Sequence, residues 1–325
     1  MNPESPRRCN KDEFGETLAM LDSIFHSTRP RRMGKYYPYA YGDGNLDNMR
    51  IIKINKKIVS HAAIYQRFVN TADGLLLKIG CIGGVATLPD YRGKGYATII
   101  LNDCIKKMEK EDYDISILWT GTPEFYRKLG WEWAGKEYWF NLNSGNVFLL
   151  PAYNKKITLE TSIDDYSQIR EIYEKKLLRS ERKPEDYPLL FNMQRKLFYQ
   201  RNGKITAYVL ISDENGVLEH GGETYAVLSI LRRLIEQKDF PSLKVFMPPQ
   251  DNGLPNCLEK LNFPKNSSYM GMIRVINQER FLKKFGTKMV ESCSSDRLIK
   301  LFFGPEKVSD KFAPLVFYLW QTEHM

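Results

Sequence analysis

The run Val85-Ala86-Thr87-Leu88-Pro89-Asp90-Tyr91-Arg92-Gly93-Lys94-Gly95-Tyr96-Ala97 decides how the rest of the chain is read. It starts inside a strand-like segment, LLLKIGCIGGVATL at 75–88, turns at Pro-Asp-Tyr, and passes two glycines into GYATIILNDCIKKMEKE, whose apolar spacing fits a helix packed on a sheet. The start of a helix carries amides without intrahelical partners and a partial positive charge, so a loop feeding it can hold phosphate through the backbone. Arg92 and Lys94 add charge, and Gly93 and Gly95 leave room for close approach. Taken alone, RGKGYA fits an ordinary glycine-containing turn as well as a phosphate cradle. It does not fit a dinucleotide-binding loop, because a meander of strands precedes it and GxGxxG is absent.

Upstream of this run, Phe14, Leu18, Leu21, Ile24 and Phe25 recur at three- and four-residue spacings and predict a first helix. A basic, tyrosine-rich loop follows. MRIIKI (49–54) and KIVSHAAIYQRF (57–68), separated by Asn55-Lys56, then join the strand at 75–88 in an antiparallel meander. Downstream, DISILW (114–119) predicts a short strand, a helix begins near Pro123, and WEWAGKEYWFNL predicts one returning strand. The fold class is therefore mixed α/β, with a first domain at 1–150.

The second half repeats this order. ITLETSIDDYSQIREIYEKK, KITAYVLIS, ETYAVLSILRRLIEQ and SLKVFM predict strand and helix, strand, helix, and strand. The run 223–228 aligns with 94–99, and 254–261 aligns with 122–129, at similar separations. Duplication of one fold follows, with the second copy at 151–283. In that copy Gly221, Glu223, Thr224 and Leu258 stand against Arg92, Lys94, Gly95 and Tyr126. A negative Glu and a β-branched Thr oppose a pyrophosphate, so the second copy is expected to be catalytically silent and to do no more than fill space. The remaining 284–325 is too short for an ordinary domain. Its apolar FAPLVFYLW is expected to pack back on the body.

A chain of 325 residues exceeds one ordinary domain, and 42% hydrophobic content argues against disorder. Five scattered cysteines without CxxC spacing suggest neither disulfides nor zinc, and the four histidines have no metal-ligand spacing, so no metal is expected. The start MNPESPRRCNKDEF lacks a signal-peptide core and no apolar run is long enough for a membrane span, which points to a cytoplasmic protein without membrane contact. The net charge of +9 is dispersed and speaks for a solvated surface rather than for nucleic acid. A homo-oligomer is left open.

Residues 85–97 closely resemble the acetyl-coenzyme A signature of the GCN5-related N-acetyltransferases (GNAT), and Pro123-Glu124-Phe125-Tyr126-Arg127-Lys128-Leu129-Gly130-Trp131 looks like that family's second signature. The resemblance implies tandem GNAT folds with a degenerate second copy and acetyl-CoA as co-substrate. Val85, Ala86 and Thr87 would pair with the pantetheine amides, and Arg92, Gly93, Lys94, Gly95, Tyr96 and Ala97 would hold the pyrophosphate. Gly121 and Thr122 would lie near the acetyl end. A small-molecule amine or a lysine side chain would attack the thioester directly in a ternary complex. Tyr126 suits the general-acid task at the departing sulfur, since a phenol can donate a proton.

Over its whole length the chain resembles the enhanced-intracellular-survival (Eis) type, which ends in a sterol-carrier-like domain and uses the terminal carboxylate as base. By that resemblance the base is the carboxylate of Met325, although 284–325 is a truncated version of that domain. The competing readings are a silent coenzyme A-binding sensor or scaffold and a basic nucleic-acid-binding protein. Among other residues, His61 reads as a strand histidine or a cleft residue, Cys81 and Cys104 as core thiols, and Tyr36, Tyr37, Tyr39 and Tyr41 as packing or an acceptor pocket.

Overall fold

The apolar runs at 49–54, 57–70 and 76–87 do pair as an antiparallel meander in the computed structural model, which describes residues 3–25, 32–153, 158–191, 195–249, 253–285, 294–304 and 315–324. The first half runs β1 (Arg7–Arg8), α1 (Phe14–Phe25), α2 (Met33–Tyr36), β2 (Met49–Ile54), β3 (Lys57–Asn70), β4 (Leu76–Thr87), α3 (Tyr96–Lys110), β5 (Ile115–Leu118), α4 (Pro123–Arg127), β6 (Glu132–Ala134) and β7 (Glu137–Asn143). The second runs β8 (Thr158–Glu160), α5 (Ser167–Glu174), α6 (Asp186–Phe191), β9 (Lys196–Asn202), β10 (Lys204–Ile211), β11 (Gly216–Gly222), α7 (Thr224–Glu236), β12 (Ser242–Met247), α8 (Leu254–Lys260), β13 (Asn266–Ser268), β14 (Gly271–Val275), α9 (Gln278–Phe285) and α10 (Ser295–Phe303).

These strands make two mixed sheets of seven, ordered β1-β2-β3-β4-β5-β14-β6 and β8-β9-β10-β11-β12-β7-β13. The orders match position for position, with β14 and β7 exchanged. Each sheet thus takes its penultimate strand from the other half of the chain. WEWAGKEYWFNL is the segment where the sequence reading needs correction: it forms two strands in different sheets. The break is at Gly135 (φ +70°), where a Cβ would come within 2.8 Å of Met270 Cβ, so a side chain cannot be accommodated without a shift. The return crossing, from Ser268 to Gly271, passes the same place, with Trp133 and Tyr269 stacked at 6.1 Å.

Helix α3 covers the outer face of the first sheet through Ile100, Leu101, Cys104, Ile105 and Met108, all buried. Helix α7 covers the outer face of the second through Val227, Leu228, Ile230, Leu231 and Leu234. The inner faces of both sheets share one core with α1, α5, α6, α9, α10 and the tail. The predicted docking of the apolar tail holds over its described part: Phe317, Tyr318, Leu319 and Trp320 are buried. Each such side chain removed from water stabilises the docked state by about 1.5–3 kcal/mol.

Polar contacts fix the tail's register. Tyr318 Oη and Gln321 Nε2 donate to Glu137 Oε2 at 2.8 and 2.7 Å, and Trp320 Nε1 donates to Leu178 O at 3.1 Å. Glu323 sits between the two halves, paired with Arg67 from the first and with Arg182 Nε at 2.7 Å from the second. Arg182 also binds Glu219 at 2.6 Å. Burial alone would raise the Glu219 carboxyl, but the adjoining Arg182 guanidinium outweighs this and holds it below the usual range.

Candidate active site

Strands β4 and β5 run parallel but pair only from Ile79 to Cys81 on β4, after which they separate. Beyond that point no ladder partner faces this edge of β4 among the described residues. A register shift in the β3–β4 ladder lies between His61 and Ala63, opposite Gly84, whose φ is +56°. The bend it makes is filled: a Cβ on Gly84 would meet Tyr41 Oη at 2.3 Å and His61 Cε1 at 3.3 Å. Val85 and Thr87 are half-buried past the bend, and Ala86 is buried, its carbonyl accepting from Ser60 Oγ at 3.0 Å.

Residues 88–95 connect β4 to α3. Gly95 caps the helix with φ +80°, and Gly93 has φ +75°. Nothing lies within 4 Å of a Cβ built on either glycine, so the backbone of this loop faces open space. Both cationic side chains bond back to nearby backbone: Arg92 Nε donates to Thr87 O at 3.1 Å, and Lys94 Nζ donates to Asp90 O at 3.1 Å. The first-turn amides of α3, at Tyr96 and Ala97, have no intrahelical acceptor. A cradle of exposed backbone, positive-φ glycines and helix-start amides fits the diphosphate of a coenzyme.

Helix α4 starts at Pro123, just past the open end of β5, after exposed Gly121 and Thr122. The turn is held by Thr122 N donating to Thr120 Oγ1 at 3.0 Å. Tyr126 packs edge-on against Phe125 and Trp131, with ring centroids 5.0 and 6.3 Å away. Trp131 in turn donates to Ser116 Oγ at 3.3 Å, and Ser116 donates to Gly80 O at 2.8 Å, which ties the ring stack to the point where the strands part. The Tyr126 side chain is 9% exposed, and burial pushes its phenol up to about 12. It keeps its proton at neutral pH.

The loop, the free β4 edge and α4 therefore all lie at the C-terminal end of one parallel strand pair, the place where open α/β sheets bind ligands. Met325 lies outside the described residues. His324, immediately before it, stacks on Trp119 at the end of β5, centroids 3.9 Å apart, and burial pushes its imidazole down to about 3. The Trp119–His324 contact was not readable from sequence, because it joins residues over 200 positions apart; the aromatic tail was its one signal.

The remaining candidates are structural. His61 is fully buried, with Nδ1 2.8 Å from Gly84 O, and burial pushes it down to about 4, so it is a neutral strand histidine. Cys81 and Cys104 are core thiols pushed up to about 12 by burial. Tyr41 fills the β4 bend, while Tyr39 packs against Tyr65 and the Arg67 guanidinium, 4.7 Å from its ring.

The second half differs. Strands β11 and β12 are also parallel, pair only at Gly216–Lys244 and Val217–Val245, and separate. Between β11 and α7 stands Glu223 alone, and Gly221 belongs to the strand itself. A counterpart of the loop at 88–95 is thus absent between β11 and α7 and not merely substituted. The cleft of this copy holds a cavity of about 500 Å³.

Residues 5–134, which include the first cleft, match the model of the acetyltransferase (GNAT) domain family. No curated protein matches the sequence. Among solved structures, a probable N-acyltransferase of unknown function from Enterococcus faecalis superposes with a TM-score of 0.68 at 17% identity, covering 87% of this chain and 75% of its own. A GCN5-related N-acetyltransferase from Anabaena variabilis gives 0.65 at 16% identity, covering 85% and 73%. Eis1 from Mycobacterium abscessus gives 0.63 at 12% identity, covering 87% and 76%. At these identities the shared property is the fold.

Proposed function

We propose that the chain is an acetyl-CoA-dependent N-acetyltransferase that works in its first cleft by direct attack of an amine in a ternary complex. The observation that carries this reading is the pairing, at one strand opening, of a glycine cradle with open space around it and a buried tyrosine that keeps its proton. The first unit (1–150) is taken as catalytic, the second (151–283) as degenerate, and 284–325 as a truncated sterol-carrier-like segment. The acceptor class is a small-molecule amine or a lysine side chain, and the expected location is the cytoplasm.

As substrate, acetyl-CoA supplies the acetyl thioester. The free β4 edge at 85–87 would bind the pantetheine amides, and the backbone of 92–97 the diphosphate. Tyr126 Oη would give its proton to the departing sulfur. The proposed base is the carboxylate of Met325; the stacking of His324 on Trp119 supports delivery of the chain end to the end of β5. Release of free thiol from acetyl-CoA, followed against a panel of polyamines, aminoglycosides and lysine peptides, tests the reading. Tight coenzyme binding without turnover on any amine would favour the sensor alternative instead.

A further inference from the structure

The cleft between β11 and β12 has lost its coenzyme loop but not its volume. Packed interiors leave few voids larger than a water molecule, whereas about 500 Å³ lies within the range of small-ligand sites. Its depth is apolar, formed by Ile172, Ile205, Val227 and Leu254, and Leu177 at its edge is 55% exposed. Three lysines join these walls: Lys175, Lys176 and Lys204. They outnumber the single carboxylate, Glu223.

The lysines divide into two kinds. Lys176 is committed, donating to His220 O at 2.5 Å and lying 4.1 Å over the Trp320 ring. Lys175 and Lys204 are exposed and form no ion pair among the described residues, which leaves two uncommitted cations beside an apolar hollow. A nucleotide diphosphate does not suit the place. A Cβ on Gly222 would fall 2.1 Å from Thr206 O, and one on Gly221 2.7 Å from Tyr208, so these glycines serve close internal packing instead of opening a backbone cradle.

We propose that this second cleft binds a small amphipathic anion, a carboxylate or phosphate ester whose hydrocarbon body fills the apolar hollow while Lys175 and Lys204 pair with the head group. Calorimetric titration of the full chain, with excess coenzyme A to occupy the first cleft, tests it with decanoate, decyl phosphate and decylamine. The expected result is saturable 1:1 binding of at least one anion and none of decylamine; the preferred head group distinguishes a fatty-acid-like from a phosphate-ester ligand. The double variant Lys175→Glu/Lys204→Glu should weaken the anion at least about tenfold and leave coenzyme binding unchanged. Leu177→Asp, on an exposed side chain, should do the same without disturbing folding. No saturable heat with either anion, equal binding of decylamine, or less than tenfold weakening in both variants would overturn the proposal.

Discussion

The two clefts are built on the same strand opening and differ in what joins strand to helix. In the first, eight residues (88–95) carry two positive-φ glycines into α3; in the second, Glu223 alone bridges β11 and α7. The first presents backbone to solvent and a protonated phenol beside it. The second presents an apolar hollow with lysines at its walls, and a leucine in the tyrosine's place. On the proposed reading, one fold yields a phosphate site or an amphiphile site according to a connection of a few residues. The tail touches both, through Trp320 at the second cleft and His324 at the end of β5.

The largest effect that can break this contrast comes from making the first loop resemble the second. Gly95→Glu forces a side chain into a backbone with φ +80° and sets a carboxylate where the diphosphate would lie. Acetyl-CoA affinity should fall by about a thousandfold or more, ~4 kcal/mol, with the melting temperature little changed; equilibrium dialysis measures the first and calorimetry the second. Next comes the tail. Glu323→Ala leaves Arg67 and Arg182 buried without their shared carboxylate and should cost about 3 kcal/mol or more in urea unfolding.

Tyr126→Phe should lower kcat on the order of tenfold while leaving KM for acetyl-CoA nearly unchanged. The same residue makes a pH prediction. An acid acts only while protonated, and burial has raised this phenol from 10.0 to about 12, so its ionisation should not cut kcat between pH 7 and 10. A tyrosine-dependent loss of kcat with an apparent pKa near 10 would contradict the assignment. The smallest effect is expected in the reverse direction: Glu223→Gly removes the charge but not the missing loop, so the second cleft should gain no measurable acetyl-CoA binding.

Sequence alone exposed the first loop because its chemistry is local. Two glycines, a proline turn and a helix start stand within a dozen residues, and Tyr126 follows at a fixed distance. The strand exchange was not readable for the opposite reason. GMIRV at 271–275 is a short, mostly apolar run, and nothing in it names Ile115–Leu118, over 150 positions earlier, as its partner. Gly135 likewise looks like a harmless interruption until Met270 is seen against it. The aligned pair Arg92 and Gly221 misled in a specific way: the shared Tyr-Ala that anchors the alignment (96–97 and 225–226) hid the fact that Arg92 lies in a loop and Gly221 inside a strand. A missing loop leaves no residue to read, and a cavity belongs to no single stretch of chain.

The proposed function assigns coenzyme chemistry to the first cleft alone. Calorimetric titration of the full chain with acetyl-CoA tests it most directly. One site per chain is expected, removed by Gly95→Glu and unaffected by Lys175→Glu/Lys204→Glu. Two sites per chain, or a single site that survives Gly95→Glu and disappears with the lysine variant, would contradict it.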